Sequence, residues 1–228
     1  MAGPAGVMVP TSSMPRIVTA DAVTSAGALT TRIEWPAWRT IVPALINGTT
    51  RLLELRRADA SSLLSMLAPT EVSRFIAPPP TTLQGFEEFI HWTHRKRIAG
   101  QYVCLGIVPA GFDAAIGIFQ LQLAALPIPE WGFAMGSPFW GTGLFVEAAE
   151  AVVDFAFRGV GVVERGARAV IENERGNGAL RKLGAVCAGI VPAGHVKDGQ
   201  VLDQFYWILS ADAPIRRRVI WEARDLHE

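Results

Sequence analysis

A strand, a glycine-containing turn and a long helix follow one another between residues 130 and 158, and this unit constrains the fold more than any other part of the chain. Glu130–Met135 alternates large and small side chains, which is typical of a strand with one packed face. Apolar residues recur at helical spacing from Thr142 to Arg158, so Glu147, Glu150 and Asp154 are expected to face away from the core. Strands grouped before such a helix predict a mixed sheet with helices on both faces.

The turn between this strand and this helix has the composition of an anion site. It reads Pro138-Phe139-Trp140-Gly141-Thr142-Gly143. Glycines let backbone N–H groups approach a phosphate closely, and the helix dipole adds positive potential at the same place. The turn lacks the Gly-Lys-Ser/Thr ending of NTPase loops, and it does not open a first strand–helix unit as dinucleotide fingerprints do. A tight turn that merely needs two glycines is the alternative interpretation of this segment.

The rest of the chain predicts one domain with two flanking segments. Residues 1–34 are expected to be a flexible extension, 35–213 the domain, and 214–228 a tail with a solvated terminal helix. Asp59 is the predicted N-cap of the first helix, and Gly184 the left-handed cap of the last helix of the domain. Predicted strands are 38–46, 49–56, 101–108, 115–123, 166–171, 186–193 and 201–210, with Asn47-Gly48 as a hairpin turn, and the other predicted helices are 71–76, 86–98 and 176–183.

Charge and composition exclude several classes of function. The 21 basic and 21 acidic residues balance, which argues against a nucleic-acid binder held by a broad basic field. No apolar stretch approaches the roughly 20 residues of a membrane span, and no charged segment precedes an apolar one near the start, so a cytoplasmic protein without a secretory signal is expected. Cys104 and Cys187 are expected to be buried, reduced thiols. His91 and His94 are expected to lie on a solvated basic helix face, and no metal site is predicted.

Three segments in order resemble the acyl-CoA-binding core of the GNAT superfamily of N-acetyltransferases, in its RimJ/RimL-like branch. Glu130-Trp131-Gly132-Phe133 is similar to the family's fourth strand, and Trp140-Gly141-Thr142-Gly143 with Glu147-Ala148 is similar to its glycine signature. Glu172-Asn173, followed by Leu180-Arg181-Lys182-Leu183-Gly184, is similar to its Glu-Asn…Leu-x-Lys-Leu-Gly motif. The resemblance extends over about residues 40 to 211.

The resemblance implies a fold and a co-substrate. The fold would be α+β in three layers, with a mixed, mostly antiparallel seven-stranded sheet and helices on both faces, and the co-substrate would be acetyl-CoA, without a metal. The residues that the resemblance implies for acetyl-CoA binding would contact the co-substrate through backbone groups or polar side chains. They are Phe133, Ala134 and Met135 for the pantetheine arm, Trp140, Gly141, Thr142, Gly143 and Leu144 for the pyrophosphate, and Asn173 through its carboxamide. Arg175 or Arg181 is a candidate for the 3′-phosphate, and solvated surface arginines are the alternative.

The reaction needs a group that takes a proton from the attacking amine. An alkylammonium has a pKa near 10, so at neutral pH a base must deprotonate it. Glu130 is the candidate, since it lies three residues before Phe133, the spacing used by the histone-acetylating branch. Capping of the strand or electrostatic binding of the amine are the alternatives for Glu130. His195 is a weaker candidate base, and Tyr206 is interpreted as sheet packing rather than as a general acid.

Two positions depart from the family pattern. Gly176 stands where a serine is usual, and Leu180 stands where many members place a general-acid tyrosine. The predicted acceptor is a small-molecule or peptide amine, such as a protein N-terminus, and neither nucleic acid nor membrane is expected as a partner, while a homodimer is left open. A non-catalytic acyl-CoA sensor and a protein-interaction unit are the competing hypotheses.

Overall fold

Nine strands form one sheet in the structure, a computed structural model that describes residues 36–123, 129–162, 164–210 and 219–222. The strands are β1 (Ala44–Asn47), β2 (Thr50–Glu54), β3 (Tyr102–Pro109), β4 (Gly117–Gln122), β5 (Glu130–Met135), β6 (Glu164–Val170), β7 (Val186–Lys197), β8 (Gln200–Ser210) and β9 (Ile220–Glu222). Their order across the sheet is β7-β8-β6-β5-β4-β3-β2-β1-β9. Every neighbouring pair is antiparallel except β5 and β6. The predicted mixed, mostly antiparallel sheet is confirmed, with nine strands instead of seven.

Helices cover both faces of this sheet, as predicted. They are α1 (Asp59–Leu67), α2 (Thr70–Ser73), α3 (Leu83–Ile98), α4 (Leu144–Asp154) and α5 (Glu174–Lys182). One core lies on the side of α4 and α5, where Trp131, Val152 and Leu180 are buried together. A second core lies on the side of α1 and α3, around Leu63 and Phe86. Because the side chains of β5 alternate between the two faces of the sheet, Trp131 packs in the first core and Ala134 in the second.

The first hairpin is confirmed, but its turn and its outer strand differ from the prediction. Asn47 pairs with Thr50, so the two turn residues are Gly48 and Thr49. Trp38 belongs to a 3-10 turn at Pro36–Arg39, not to the strand. Because Gly48 has a φ of +59°, it occupies the left-handed conformation that such turns require.

The predicted terminal helix is wrong at residues 220–222. These residues form β9, which pairs with β1 and places Trp221 opposite Leu45. The Trp221 ring lies 5.7 Å from that of Phe155, and its Nε1 donates to Asp154 Oδ2 at 2.9 Å. The charged residues of the tail favoured a helix, but the strand covers the edge of β1 and partly buries an aromatic ring. The predicted extension at 1–34 lies outside the described residues.

The expectation that the acidic side of α4 faces solvent is also wrong. Glu150 and Asp154 are buried. Asn47 Nδ2 donates to Glu150 Oε2 at 3.1 Å, and the hydroxyl of Thr50 donates to Glu147 Oε2 at 2.9 Å. These carboxylates therefore connect α4 to the first hairpin, since buried acidic groups need hydrogen-bond donors.

Smaller differences concern single residues and element ends. Asp59 is the first residue of α1 rather than its N-cap, and its carboxylate accepts from the N–H of Arg56 at 2.7 Å and of Ala115 at 3.0 Å. The predicted end of the long helix becomes a π-helical turn, Phe155–Val160. Cys104 is buried as expected, whereas Cys187 is exposed. Across the described ranges, no helix has the length and hydropathy needed to cross a membrane.

Candidate active site

The sheet opens between β5 and β6, the one parallel pair among the strands that the structure describes. Glu130 and Gly166 are the paired residues, and the N–H of Gly166 donates to the carbonyl of Pro129 at 2.9 Å. Beyond this point, the described part of the chain shows no further register between the two strands. The strands therefore diverge toward their C-terminal ends, and a wedge opens in the middle of the sheet.

The backbone of β5 directs alternate groups into this wedge. The N–H of Gly136 donates to the carbonyl of Ile116, the residue before β4, at 2.9 Å. Successive residues of a strand direct their hydrogen-bonding groups to opposite edges of the strand. Gly136 and Ala134 therefore face β4, whereas Phe133 and Met135 face the wedge. Of the three residues predicted to hold a pantetheine arm, two present their N–H groups in the right direction. Ala134 does not, because its backbone groups are turned toward β4.

The glycine turn after β5 places a row of N–H groups at the mouth of the wedge. Gly141 has a φ of +78° and Gly143 a φ of +90°, conformations that favour glycine. Within the described residues, no hydrogen bond is formed by the five backbone N–H groups from Gly141 to Phe145. A Cβ built on either glycine meets nothing within 4 Å, so the space in front of these groups is open.

Trp140 has a different role from the predicted one. Its N–H donates to the carbonyl of Ser137 at 3.1 Å and is already satisfied. Its indole Nε1 donates to the carbonyl of Met135 at 2.8 Å, which fixes the turn against the end of β5. The hydroxyl of Thr142 likewise donates back to Phe139, at 2.7 Å. These side chains shape the turn and leave its N–H groups available.

The start of α5 lies beside this turn. The Arg175 guanidinium lies 4.2 Å from the centre of the Trp140 ring, a cation–π contact between the two segments. Asn173 caps α5, since its Oδ1 accepts from the N–H of Gly176 at 2.9 Å. A Cβ at position 176 would lie 2.6 Å from Asn173 Nδ2. Glycine in place of the usual serine therefore lets the Asn173 amide fold closely over the helix start.

Glu130 lies at the closed end of the wedge and is paired with a residue that the sequence did not indicate. Arg168 Nε donates to Glu130 Oε1 at 2.9 Å, and its Nη2 donates to the same oxygen at 2.6 Å. The two side chains are 23% and 12% exposed. Arg168 was missed because its contact with Glu130 depends on the alignment of β6 with β5, which the sequence pattern does not encode. Glu130 Oε2 accepts no hydrogen bond from the residues that the structure describes.

Three other candidates differ in their surroundings. Leu180 is 1% exposed and packs in the core, so this position supplies no hydroxyl group to the site. His195 Nε2 is buried without a hydrogen-bond partner among the described residues, and burial, together with Lys197, lowers the pKa of this imidazole. His94 Nε2 donates to the carbonyl of Leu55 at 2.8 Å. No group of three His, Cys, Asp or Glu residues suited to a metal is present in the described ranges.

The arrangement fits a long, flexible ligand with an anionic group at one end. N–H groups at a helix start hold the anion, the open edge of β5 offers hydrogen bonds along an extended arm, and Glu130 lies where that arm would end. The three features therefore form a single path from the surface into the sheet.

Comparison with known proteins agrees with this geometry. The model of the acetyltransferase (GNAT) domain family matches residues 50–186. The ribosomal-protein-S5-alanine acetyltransferase of Vibrio fischeri superposes with a TM-score of 0.67 at 15% identity, over 74% of this chain and 97% of the other. Mycobacterium smegmatis RimJ in complex with CoA-disulfide has a TM-score of 0.65 at 15% identity, over 75% and 86%.

A third solved structure, the microcin C7 self-immunity acetyltransferase MccE in complex with acetyl-CoA and AMP, has a TM-score of 0.65 at 15% identity, over 72% of this chain and 93% of that chain. At these identities the superpositions establish the fold. The family model extends over more than half of the chain and includes β5, the glycine turn, α4 and α5. The chain therefore belongs to the GNAT family of acetyltransferases.

Proposed function

We propose that this acetyltransferase transfers the acetyl group of acetyl-CoA to a primary amine, by direct attack of the amine on the thioester. The observation that carries the proposal is that the divergence of β5 from β6 and the unsatisfied N–H groups of residues 141–145 lie on one continuous path. The polarity of this path suits acetyl-CoA, which has a diphosphate-linked nucleotide at one end and a thioester at the other.

The donor is held by backbone groups. Five N–H groups from Gly141 to Phe145 would bind the diphosphate, assisted by the dipole of α4. The N–H groups of Phe133 and Met135 would pair with the amide-containing arm, as an added strand pairs with a sheet edge. Arg175, held over Trp140, lies where it can meet the phosphates of the nucleotide. An N–H on the open edge would also polarise the thioester carbonyl, because charge develops on that oxygen in the transition state.

Glu130 is proposed to receive the amine. Arg168 holds Oε1 of the carboxylate in one orientation and leaves Oε2 for the ammonium group of the acceptor or for a bridging water. Removal of one proton from that ammonium frees the nitrogen lone pair for attack. His195 is a second candidate for this step, because its Nε2 is buried, has no partner among the described residues and belongs to an imidazole that stays neutral.

The acceptor is proposed to be a protein N-terminus or a small-molecule amine, as in the RimJ/RimL-like branch. Two of the superposed proteins support this choice: one acts on the alanine of ribosomal protein S5, and another is named RimJ. The alternative, an acyl-CoA sensor without turnover, is less well supported, because the wedge reaches a carboxylate at its closed end. A sensor needs no group that accepts a proton from an amine, whereas Oε2 of Glu130 has no donor among the described residues.

Thermal unfolding with and without acetyl-CoA tests donor binding, with AMP as the control ligand. A panel of amines then tests turnover by release of the CoA thiol, and it includes peptides with N-terminal alanine or serine, polyamines and aminoglycosides. We expect a rise in Tm with acetyl-CoA and turnover on at least one class. Stabilisation without turnover on any amine would favour the sensor, and no stabilisation at millimolar acetyl-CoA would refute the proposed site.

A further inference from the structure

Tyr206 lies beside the closed end of the wedge, although it belongs to β8, two strands away from β5. It is directly opposite Arg168 of β6 in the sheet register. Its ring extends diagonally over Gly166, since a Cβ built on Gly166 would lie 2.9 Å from Cζ and from Cε2 of the ring. The missing side chain at position 166 is what lets the phenol reach this point.

The hydroxyl group of Tyr206 therefore ends where β5 and β6 meet. Gly166 is paired with Glu130, so the phenol crosses β6 toward that carboxylate. The charged groups around it are Glu130 on β5 and Glu164 and Arg168 on β6, while its β7 neighbour is Gly189. Within the residues that the structure describes, the hydroxyl forms no hydrogen bond, so its proton is available to a ligand.

The reacting sulfur of the donor would lie at the same end. With the diphosphate at residues 141–145, beyond the C-terminal end of β5, an arm along β5 runs back toward Glu130. The thioester is at the far end of that arm, so it would lie next to the Glu130–Gly166 pair. This step rests on the donor-binding path of the proposed function.

We propose that Tyr206 is the proton donor to the departing CoA thiolate. The amine nitrogen forms a C–N bond with the acetyl carbon, the C–S bond breaks and its electron pair passes to sulfur. Tyr206 gives its phenolic proton to that sulfur, and the phenolate is reprotonated by the N–H proton that the attacking nitrogen loses. The products are an amide and free CoA, and the tyrosine is regenerated.

The local environment suits this task. Burial, and then the charge of Glu130, raise the pKa of the Tyr206 phenol, so the group carries its proton at neutral pH. The helix position at which many family members place such a tyrosine is Leu180, which is packed in the core here. Tyr206 supplies a hydroxyl from the other side of the wedge.

Tyr206→Phe tests the assignment, and the chain offers a matched control. Its only other tyrosine, Tyr102, donates to Gln120 Oε1 at 2.6 Å across β3 and β4, on the side of β5 opposite to the wedge, so Tyr102→Phe removes the same atom elsewhere. For Tyr206→Phe we expect the acetyl-CoA-induced rise in Tm to persist, the KM for acetyl-CoA to stay within about threefold, and kcat on the amine selected from the panel to fall roughly 10- to 100-fold. Tyr102→Phe should leave kcat within about twofold.

A second measurement needs no acceptor. The pKa of the thiol of bound CoA is read from thiolate absorption in the ultraviolet, and loss of a hydrogen bond to sulfur should raise it by about 1–2 in Tyr206→Phe. Normal kcat and an unchanged thiol pKa in Tyr206→Phe would overturn the assignment while leaving the proposed function intact. Absence of acetyl-CoA binding to the unaltered protein would overturn both.

Discussion

Substitution of Gly141 by alanine isolates the contribution of the glycine turn to donor binding. Position 141 has a φ of +78° and faces open space, so a Cβ causes no clash but stands where the diphosphate would approach the N–H groups. The left-handed conformation costs a non-glycine residue about 1–2 kcal/mol. Gly199, in the turn between β7 and β8, has a φ of +76° and also faces open space, so Gly199→Ala carries the same backbone cost outside the glycine turn.

The two variants should differ in the rise in Tm that acetyl-CoA causes. A ligand at about 100 times its Kd adds roughly 2.7 kcal/mol of stability, which corresponds to a rise in Tm of about 5–11 °C in a protein of this size. Loss of one or two hydrogen bonds to a charged phosphate weakens binding by about 100-fold. At the same acetyl-CoA concentration, Gly141→Ala would then retain only about 0.4 kcal/mol, or a rise of about 1–2 °C.

Differential scanning fluorimetry at one fixed acetyl-CoA concentration measures this difference. We expect both variants to unfold a few degrees below the unaltered protein without ligand, and only Gly199→Ala to recover the full ligand-induced rise. An equal rise in Gly141→Ala and Gly199→Ala would refute the reasoning, because it would show that the N–H groups of the turn do not hold the donor.

Three further outcomes are expected. Glu130→Gln should lower kcat/KM roughly 10²- to 10⁴-fold near neutral pH, and a full pH–rate profile should lose its acidic limb; an unchanged profile would exclude the base role. Trp221→Ala should destabilise the protein by about 2–4 kcal/mol in urea unfolding, whereas Ile220→Ala, at a position 52% exposed, should stay within about 0.5 kcal/mol; equal effects would contradict the packing of β9. Arg165→Met should raise Tm, because Arg165 Nε and Nη2 are buried without hydrogen-bond partners in the described ranges and burial lowers the pKa of this guanidinium to about 9; a lower Tm would mean that the Phe157 ring, 5.2 Å from the guanidinium, compensates the charge.

The pH dependence of the Arg165 effect has a definite sign. The pKa of Arg165 is lower in the folded protein than in the unfolded chain, so between pH 9 and about 12.5 the unfolded chain binds more protons. The cost of burying the charge is therefore present in full below pH 9 and decreases as the pH rises above it. The stability advantage of Arg165→Met should shrink over the same range.

Local features of the site were predictable from the sequence. Strand alternation at 130–135, the glycines at 141 and 143, and the left-handed Gly184, with its φ of +85°, all appear as expected. Each depends on a few adjacent residues, whose conformational preferences are independent of the rest of the chain. The family resemblance was inferred from the same local motifs.

Contacts between distant segments were not predictable in this way. The acidic residues of α4 were expected in solvent because their partners, Asn47 and Thr50, lie about 100 positions earlier in the chain. Tyr206 was interpreted as packing because its reach over Gly166 follows from the pairing of β6 with β8. A charged or aromatic side chain has no fixed environment until the sheet is assembled.

The sequence by itself determined that a strand leads through glycines into the start of a helix, and hence that N–H groups without a backbone partner lie at that start, because backbone conformation and the helix dipole are local properties. Only the tertiary structure decided that β5 and β6 diverge beyond Glu130 and Gly166, that Arg168 pairs with Glu130, and that the ring of Tyr206 lies over Gly166. Strand order, register and divergence arise from packing between segments that are far apart in the chain, and no short stretch of residues encodes them.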